Sequence, residues 1–341
     1  MDSDVQSLLK RVSRSMYLSL AVLPKAVRDA MGLGYLFCRA ADTIADTRII
    51  PIVERAKRLE EFRAAFETGA DIKGPSAAGL AVHQANEGER ELMRRLGECV
   101  KLWKRFPEEE RALLRRVVVG VTDGMRMDLE LFPAETEKGL RALKTTEELD
   151  RYCALIGGEP GLFWTDLCLL RIPQLKDADR DLLRNWGLSL GKGLQMTNIL
   201  RDIPKDLRIG RCYLPGPELK NAGLNPEDLL DPKSLPKFKP VLSKWTQWAL
   251  VNLEAGAEYV EAMPGMRLKA AVAWPLLLSF KTLIRVSGSA DLLRADRTVK
   301  VPRRHVYRLI LGSAWTLSSN TRFRKKFEAL RSKLSSVLLP A

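Results

Sequence analysis

Histidine is nearly absent from this chain of 341 residues: only His83 and His305 occur. That excludes a histidine-rich metal centre and leaves oxygen ligands for any bound metal. Cysteine is scarce as well. Cys38, Cys99, Cys153, Cys168 and Cys212 are odd in number and scattered, with no CxxC pair. Neither a disulfide framework nor a zinc site is therefore indicated, and a reducing, cytoplasmic compartment is expected. Long hydrophobic runs are missing too: AVAWPLLL with its preceding alanine falls far short of the roughly 20 residues a membrane-spanning helix needs. The opening stretch MDSDVQSLLKRVSRS is acidic and reaches no apolar run, so neither a signal peptide nor an anchor is expected there. There is no internal repeat, no low-complexity tract, no GxGxxG dinucleotide fingerprint and no helix-turn-helix or zinc-finger signature.

What is present is positive charge. Lysine and arginine outnumber aspartate and glutamate 56 to 42, a net +14, which suits a polyanionic partner such as a nucleic acid, an anionic membrane or a diphosphate. Apolar residues recur at helical spacing in LLKRVSRSMYLSLAVL, ERAKRLEEFRAAF, ERELMRRLGECVKLW and DRDLLRNWGLSLGKGLQMTNIL, which predicts an all-α protein. RRVVVGV, residues 115 to 121, is the best strand candidate, yet the segments on both sides have helix composition. Breaks are expected at residues 69 to 79, 210 to 226 and 229 to 240, where glycine and proline concentrate. No linker separates halves that could each bury a core. One domain over residues 1 to 341 is expected, with a basic extension from about residue 312.

The stretch QMTNILRDIPKD concentrates costly groups in an apolar setting. Gln195, Asn198, Asp202 and Asp206 fall at i, i+3, i+7 and i+11, one stripe of a helix. Leu194, Met196, Ile199, Leu200 and Ile203 fill the other faces, so the helix is expected to be buried with its polar stripe facing a cavity. A buried carboxylate needs a partner charge or a cation. A second copy of the pattern occurs in GLGYLFCRAADTIAD: Tyr35, Arg39, Asp42 and Asp46 form the stripe, and Leu33, Leu36, Phe37, Ala40, Ala41 and Ile44 the apolar remainder. Two DxxxD helices facing each other would hold Mg²⁺, which takes one or two carboxylates plus phosphate oxygens. A diphosphate ligand is expected.

These residues carry a resemblance. SRSMYLSLAVLP, with Ser13, Arg14 and Ser15 as a small-basic-small motif, is followed by YLFCRAADTIAD, YCALIGGEPG and QMTNILRDIPKDLRIGRCYLP. In this order they resemble the squalene/phytoene synthase family of head-to-head prenyl synthases, over roughly residues 10 to 310. The resemblance implies a single-domain isoprenoid synthase helical bundle around a central cavity. It implies that Asp42, Asp46, Asp202 and Asp206, with Asn198, bind Mg²⁺ and through it the diphosphates of two farnesyl diphosphates. Arg39, Gln195 and Arg201 would line the same site. Arg14, Ser15, Arg211 and Tyr213 would contact phosphate, with GRCYLPGP as a candidate flap. Tyr152 would give or take a proton near the leaving diphosphate, and Tyr35 would steady cationic intermediates. Gly157, Gly158 and Gly161 would let helices approach closely or leave room for a prenyl chain, with Phe163 and Trp164 as its wall.

The implied chemistry is condensation to presqualene diphosphate, then reduction by NADPH to squalene. RAADTIADT is nearer the DTxxD form of squalene synthases, and TVKVPRRHVYRL resembles their NADPH segment, making Lys300, Arg303 and Arg304 the cofactor candidates. Alternatives are a presqualene diphosphate synthase, or a dehydrosqualene or phytoene synthase that needs no NADPH. Departures from the family pattern are Pro204 inside the second DxxxD, Lys205 where an acid is common, Glu159-Pro160 in the YC helix, and Met16 after the small-basic-small motif. Pro204 is expected to end or kink its helix, which makes Asp206 the least secure ligand. The basic, partly amphipathic residues after 305 suggest peripheral contact with anionic membrane at its inner face. A non-enzymatic alternative is a basic helical module for membrane or nucleic acid. Basic residues spread along the chain, without a nucleic-acid motif, argue against nucleic acid as the partner.

Overall fold

The computed structural model describes residues 3–13, 17–69, 79–84 and 86–338. Their secondary structure is helical apart from one short strand pair, as the 3.6-residue periodicity predicts. The described residues fall into two compact units, each discontinuous in sequence: one holds residues up to Glu130 and Leu162–Arg180, the other Leu131–Gly161 and the residues from Asp181 onward.

The first unit contains α1 (Ser3–Ser13), α2 (Tyr17–Ala21), α3 (Lys25–Asp46), α4 (Ile52–Thr68), α5 (Glu87–Trp103) and α6 (Glu108–Leu131, to Glu130). RRVVVGV lies inside α6, so the β-branched cluster is helical because the helix formers around it set the register. Helix α3 packs against α1, α4 and α5. Its apolar faces behave as the pattern predicts: Leu33, Leu36, Phe37, Ala40, Ala41 and Ile44 are all buried. An aromatic cluster forms beneath it, with Phe66 centred 4.7 Å from Phe37 and 4.9 Å from Trp103, spacings at which ring pairs add to area burial. The end of α3 is tied down from inside. Arg55, almost wholly buried, donates from Nη1 to Ala45 O at 2.6 Å, placing a cation where the helix carbonyls converge. Thr47 bonds back to Thr43 O, and Gln84 donates to Thr47 Oγ1 at 2.7 Å.

The second unit begins with β1 (Arg141–Leu143) and α7 (Thr146–Cys153), followed by a π-helical turn (Ala154–Gly158) that runs into α8 (Glu159–Arg171). Residues 162 onward of α8 belong to the first unit. Then follow α9 (Arg180–Arg208), β2 (Arg211–Pro215), α10 (Gly216–Asn221), α11 (Leu235–Ala262), α12 (Gly265–Ser287), α13 (Arg303–Thr316) and α14 (Asn320–Leu338). Strands β1 and β2 pair in parallel, Arg141 opposite Arg211. They escape a periodicity reading because strands of three and five residues carry too few side chains to show alternation. Gly210, at φ 79°, makes the turn between α9 and β2, where an added Cβ would press on Thr136 backbone; glycine alone takes that conformation cheaply. Helices α11, α12 and α14 pack on one another, with Phe280 edge-on to Phe327 at 5.1 Å.

Two helices are longer and more apolar than the uninterrupted runs suggest. Thr146–Arg171 and Gly265–Ser287 contain windows of mean hydropathy 1.2 and 1.3. Half or more of each window is buried against the chain itself, as in a helix of a protein core. Hydropathy averaged over a window tolerates scattered polar residues that break a run.

Candidate active site

In the first unit, α3 lines up Tyr35, Arg39 and Asp42 on one half-buried stripe, with Asp46 exposed at its last residue. Arg39 Nη1 reaches Asp42 Oδ2 at 2.5 Å, and Arg39 Nη2 donates to the Tyr35 hydroxyl at 3.3 Å. That hydroxyl is 3.5 Å from Val12 O. The guanidinium lies 5.9 Å from the Tyr35 ring centre, within cation–π range. Burial opposes the charge on Arg39, yet Asp42 and Tyr35 outweigh it and hold the guanidinium more firmly protonated than usual. Arg14 and Ser15, expected to contact phosphate, lie outside the described residues, as does Met16.

In the second unit, α9 carries Gln195, Asn198, Arg201, Asp202 and Asp206. Met196, Ile199, Leu200 and Ile203 are buried as predicted, while Leu194 is half-buried. Arg201 grips Asp202 with two parallel bonds, Nε to Oδ1 at 2.9 Å and Nη2 to Oδ2 at 2.5 Å. The bond to Asp202 leads in raising the Arg201 pKa, burial works against it, and the charges of Asp202 and Asp206 add to the rise. Pro204 neither ends nor interrupts the helix: α9 continues to Arg208 with Pro204 buried inside it. Proline removes one backbone donor, but apolar packing on Ile203 and Leu207 holds the last turn in place.

Neither polar stripe is sealed from water, contrary to expectation. The side chain of Asp42 keeps 33% and that of Asp202 27% of its accessible surface, and Asn198 is exposed. Ordinary solvation, together with an arginine partner, stabilises these carboxylates where full burial would demand a cation.

Tyr152 and Tyr213 come together from distant parts of the chain. Their rings stack at 4.7 Å and their hydroxyls are 3.2 Å apart, with Phe132 edge-on to Tyr213. A small cavity is walled by Asp206, Arg211 and Tyr213 together with apolar residues of α9 and β2, so three of the expected site residues converge there. GRCYLPGP, the candidate flap, is held in the strand pair here: every residue of Arg211–Pro215 is buried, and β1 supplies its backbone partners. Arg211 is 3.5 Å from Glu135, and both side chains are largely buried.

Sequence reasoning missed Glu135, which stands at φ 49° in the loop before β1. It also missed Lys192, one turn ahead of Gln195, which meets Asp150 at 2.5 Å and lies 5.4 Å from the Trp248 ring centre. Extending the Gln195 stripe backward by three residues would have found Lys192. The π turn was legible in hindsight from Pro160, whose missing N–H leaves the Ile156 carbonyl without its α-helical donor; Glu159 N–H instead reaches Ala154 O, five residues back. Gly157 and Gly161 serve helix approach: a Cβ on either would collide with the backbone of Gly191 or Gly187 in α9. Phe163 packs against Gly34 of α3, an ordinary helix contact. Lys300, Arg303 and Arg304 are exposed, the last two opening α13.

The cysteines are the unreactive groups that their surroundings suggest. Burial pushes the thiols of Cys38, Cys99 and Cys212 up to about 12, and those of Cys153 and Cys168 further still. A raised thiol value means that folding favours the protonated form. That contribution to stability is complete below about pH 9 and is lost as pH climbs toward about 12. Iodoacetamide near pH 9 is expected to label Cys99, Cys153, Cys168 and Cys212 in denaturant but not in the folded chain, as read by mass spectrometry.

Within either unit taken alone, no three His, Cys, Asp or Glu side chains converge on a metal position among the described residues. Each unit instead offers a DxxxD pair of hard oxygen donors, reachable from solvent. That donor set fits Mg²⁺, which keeps several waters and binds one or two carboxylates with substrate phosphate. The cations Lys300, Arg303 and Arg304 similarly fit the phosphates of a dinucleotide by charge.

Comparison with known proteins gives the family and the fold. The family model for squalene/phytoene synthase matches residues 9–305. The chain is 26% identical over 308 residues to squalene synthase of Schizosaccharomyces pombe, covering 90% of this chain and 64% of that protein. It is 30% identical over 256 residues to presqualene diphosphate synthase of Rhodopseudomonas palustris, covering 75% and 77%. It thus spans less than two thirds of the first of these relatives. The solved structure of TcSQS in complex with the ligand BPH1237 superposes at a TM-score of 0.75 with 22% identity, covering 99% of both chains, which gives the fold as the helical bundle of isoprenoid synthases. The chain belongs to the squalene/phytoene synthase family.

Proposed function

We propose that this chain catalyses the head-to-head condensation of two farnesyl diphosphates to presqualene diphosphate and, with NADPH, its reductive rearrangement to squalene. The observation that carries this reading is the pair of matched arginine–aspartate contacts, Arg39 with Asp42 and Arg201 with Asp202, each on a helix bearing DxxxD. Asp42, Asp46, Asp202 and Asp206, with Asn198, would hold Mg²⁺, which when bound neutralises charge developing on a departing diphosphate. Arg39 and Arg201 can exchange their carboxylate partner for a phosphate oxygen, adding charge-assisted hydrogen bonds to the leaving group. In the first step the C1–O bond of one farnesyl diphosphate breaks with its electron pair going to the diphosphate. The 2,3 double bond of the second molecule attacks C1, and loss of a proton closes the cyclopropane. The Tyr152–Tyr213 hydroxyl pair can take or return that proton, and the Tyr35 ring can face positive charge without reacting with it. Lys300, Arg303 and Arg304 would bind the phosphates of NADPH, which supplies the hydride.

A second reading stops at presqualene diphosphate. The relative from Rhodopseudomonas palustris favours it, with higher identity and more even two-way coverage. Extraction of products made from farnesyl diphosphate and Mg²⁺, with and without NADPH, separates the two. Squalene formed only with NADPH is the expected result; presqualene alcohol after phosphatase treatment, or a C30 triene indifferent to NADPH, would overturn the reductive step. With NADPH present, Lys300→Gln is expected to raise the KM for NADPH by about ten-fold, on the order of one charge-assisted contact, and to leave presqualene diphosphate formation unchanged.

A further inference from the structure

The family match ends at residue 305, and helices α13 and α14 lie almost wholly beyond it. Helix α13 buries Leu309, and Leu317 just after it, while packing against α12 and α14. Its other side carries Tyr307, Leu311 and Trp315, which are 57%, 80% and 69% exposed. At i, i+4 and i+8 they make one stripe about 12 Å long. Isolated exposed apolar residues need no explanation, but a tyrosine, a leucine and a tryptophan in register do.

The stripe is set in positive charge. Arg304 and Arg308 occupy the same face, and the Arg322 guanidinium of α14 lies 3.6 Å from the Trp315 ring centre. Helix α13, RRHVYRLILGSAWT, contains no acid. The one acid of α14, Glu328, is 3.5 Å from Arg331. Behind the face, His305 is held below its ordinary value by burial and then by Arg304, Lys281, Arg285 and Arg308. Lys281 is lowered by burial and then by Lys326, Lys333 and Arg285. Two arginines also open α13 at the end where the helix dipole is positive, an arrangement that costs stability unless an anion sits nearby.

We propose that this face of α13 docks on the anionic lipid surface of a membrane, with Tyr307, Leu311 and Trp315 entering the headgroup region and Arg308 and Arg322 meeting lipid phosphates. Aromatic residues favour that depth, and basic residues beside them gain from negative surface potential. A second copy meeting the same face about a two-fold axis would bring like charges together. The inference does not depend on the reaction catalysed.

The test is co-sedimentation of the full chain with vesicles of phosphatidylcholine alone or mixed with phosphatidylglycerol, at low and high salt. Binding is expected only to vesicles containing phosphatidylglycerol and should weaken with salt. Leu311→Ser with Trp315→Ser should lower the affinity by about ten-fold or more, and Arg308→Gln with Arg322→Gln by at least about five-fold per charge. All four positions are exposed, so circular dichroism and melting should match the parent. Equal binding by the parent to both vesicle types, or by either variant and the parent, overturns the proposal. So does a Leu311→Ser/Trp315→Ser variant that shifts from dimer to monomer by sedimentation with vesicle binding unchanged, which would assign the face to a second copy.

Discussion

Asp42→Asn and Asp202→Asn, made singly, are expected to lower turnover of farnesyl diphosphate at saturating Mg²⁺ by about 10²–10³-fold, the loss typical when one preorganised charge-stabilising contact is removed. Each substitution keeps the side-chain volume and removes the negative charge. Arg39 or Arg201 then loses its carboxylate, 2.5 Å away in both cases, but both arginines are half-buried and open to solvent. The structural cost should therefore stay within about 1 kcal/mol, and the melting temperature should hardly move. The two effects separate the roles: a stability defect would mark a structural ion pair, whereas an activity defect with an intact fold and a raised Mg²⁺ requirement would mark a metal ligand. Activity within about ten-fold of the parent for both variants would sink the metal assignment. Asp206→Asn tests the weaker member. Since α9 runs through Pro204 to Arg208, Asp206 remains on the stripe, and a comparable loss is expected.

Gly191→Val should strongly destabilise the second unit. A Cβ at Gly191 would fall on the Gly157 carbonyl, with Gly158 Cα only 3.0 Å away. The obstacle is backbone on both sides, so no rotamer change can relieve it, and α9 must move away from the π turn. Overpacking in a core costs about 1–3 kcal/mol when side chains can yield; here the upper end or more is expected, with a fall in melting temperature of several degrees at least. Gly97→Ala is the control. Gly97 lies within α5 with nothing within 4 Å of an added Cβ, and alanine there should leave stability equal or raise it by up to about 1 kcal/mol. If Gly191→Val melts like the parent, the close helix crossing is wrong. Because Gln195 sits one turn beyond Gly191, with its Cβ 2.9 Å from where a Gly157 Cβ would be, the same crossing orients the start of the polar stripe.

The helices and the chemistry-bearing residues were readable because both rest on local periodicity. Apolar residues at three- and four-residue intervals bury one face of α3 and α9 whatever else the chain does, so the remaining stripes had to hold Arg39 and Asp42 in one and Asn198 and Asp202 in the other. RRVVVGV was placed correctly by its flanks. What failed was any inference about depth. The stripe was expected to be sealed, yet Asp42 and Asp202 reach water, since one helix's pattern says which face is polar and nothing about what lies opposite. The strand pairing of GRCYLP also escaped the reading: its backbone partner, Arg141–Leu143, lies about 70 residues earlier, and no local pattern announces that pairing.

The amino-acid order alone therefore determined the helical class, the two DxxxD stripes with their arginines, and the family. These depend on residue type and on spacing within one helix, where geometry is known before folding. Tertiary structure decided the rest: that Tyr152 stacks on Tyr213, that Arg55 holds the end of α3, that the glycines of the YC segment serve a helix crossing, and that Tyr307, Leu311 and Trp315 stay uncovered. Each of those depends on which distant segments meet, and packing between segments far apart in sequence leaves no period in the chain to be read.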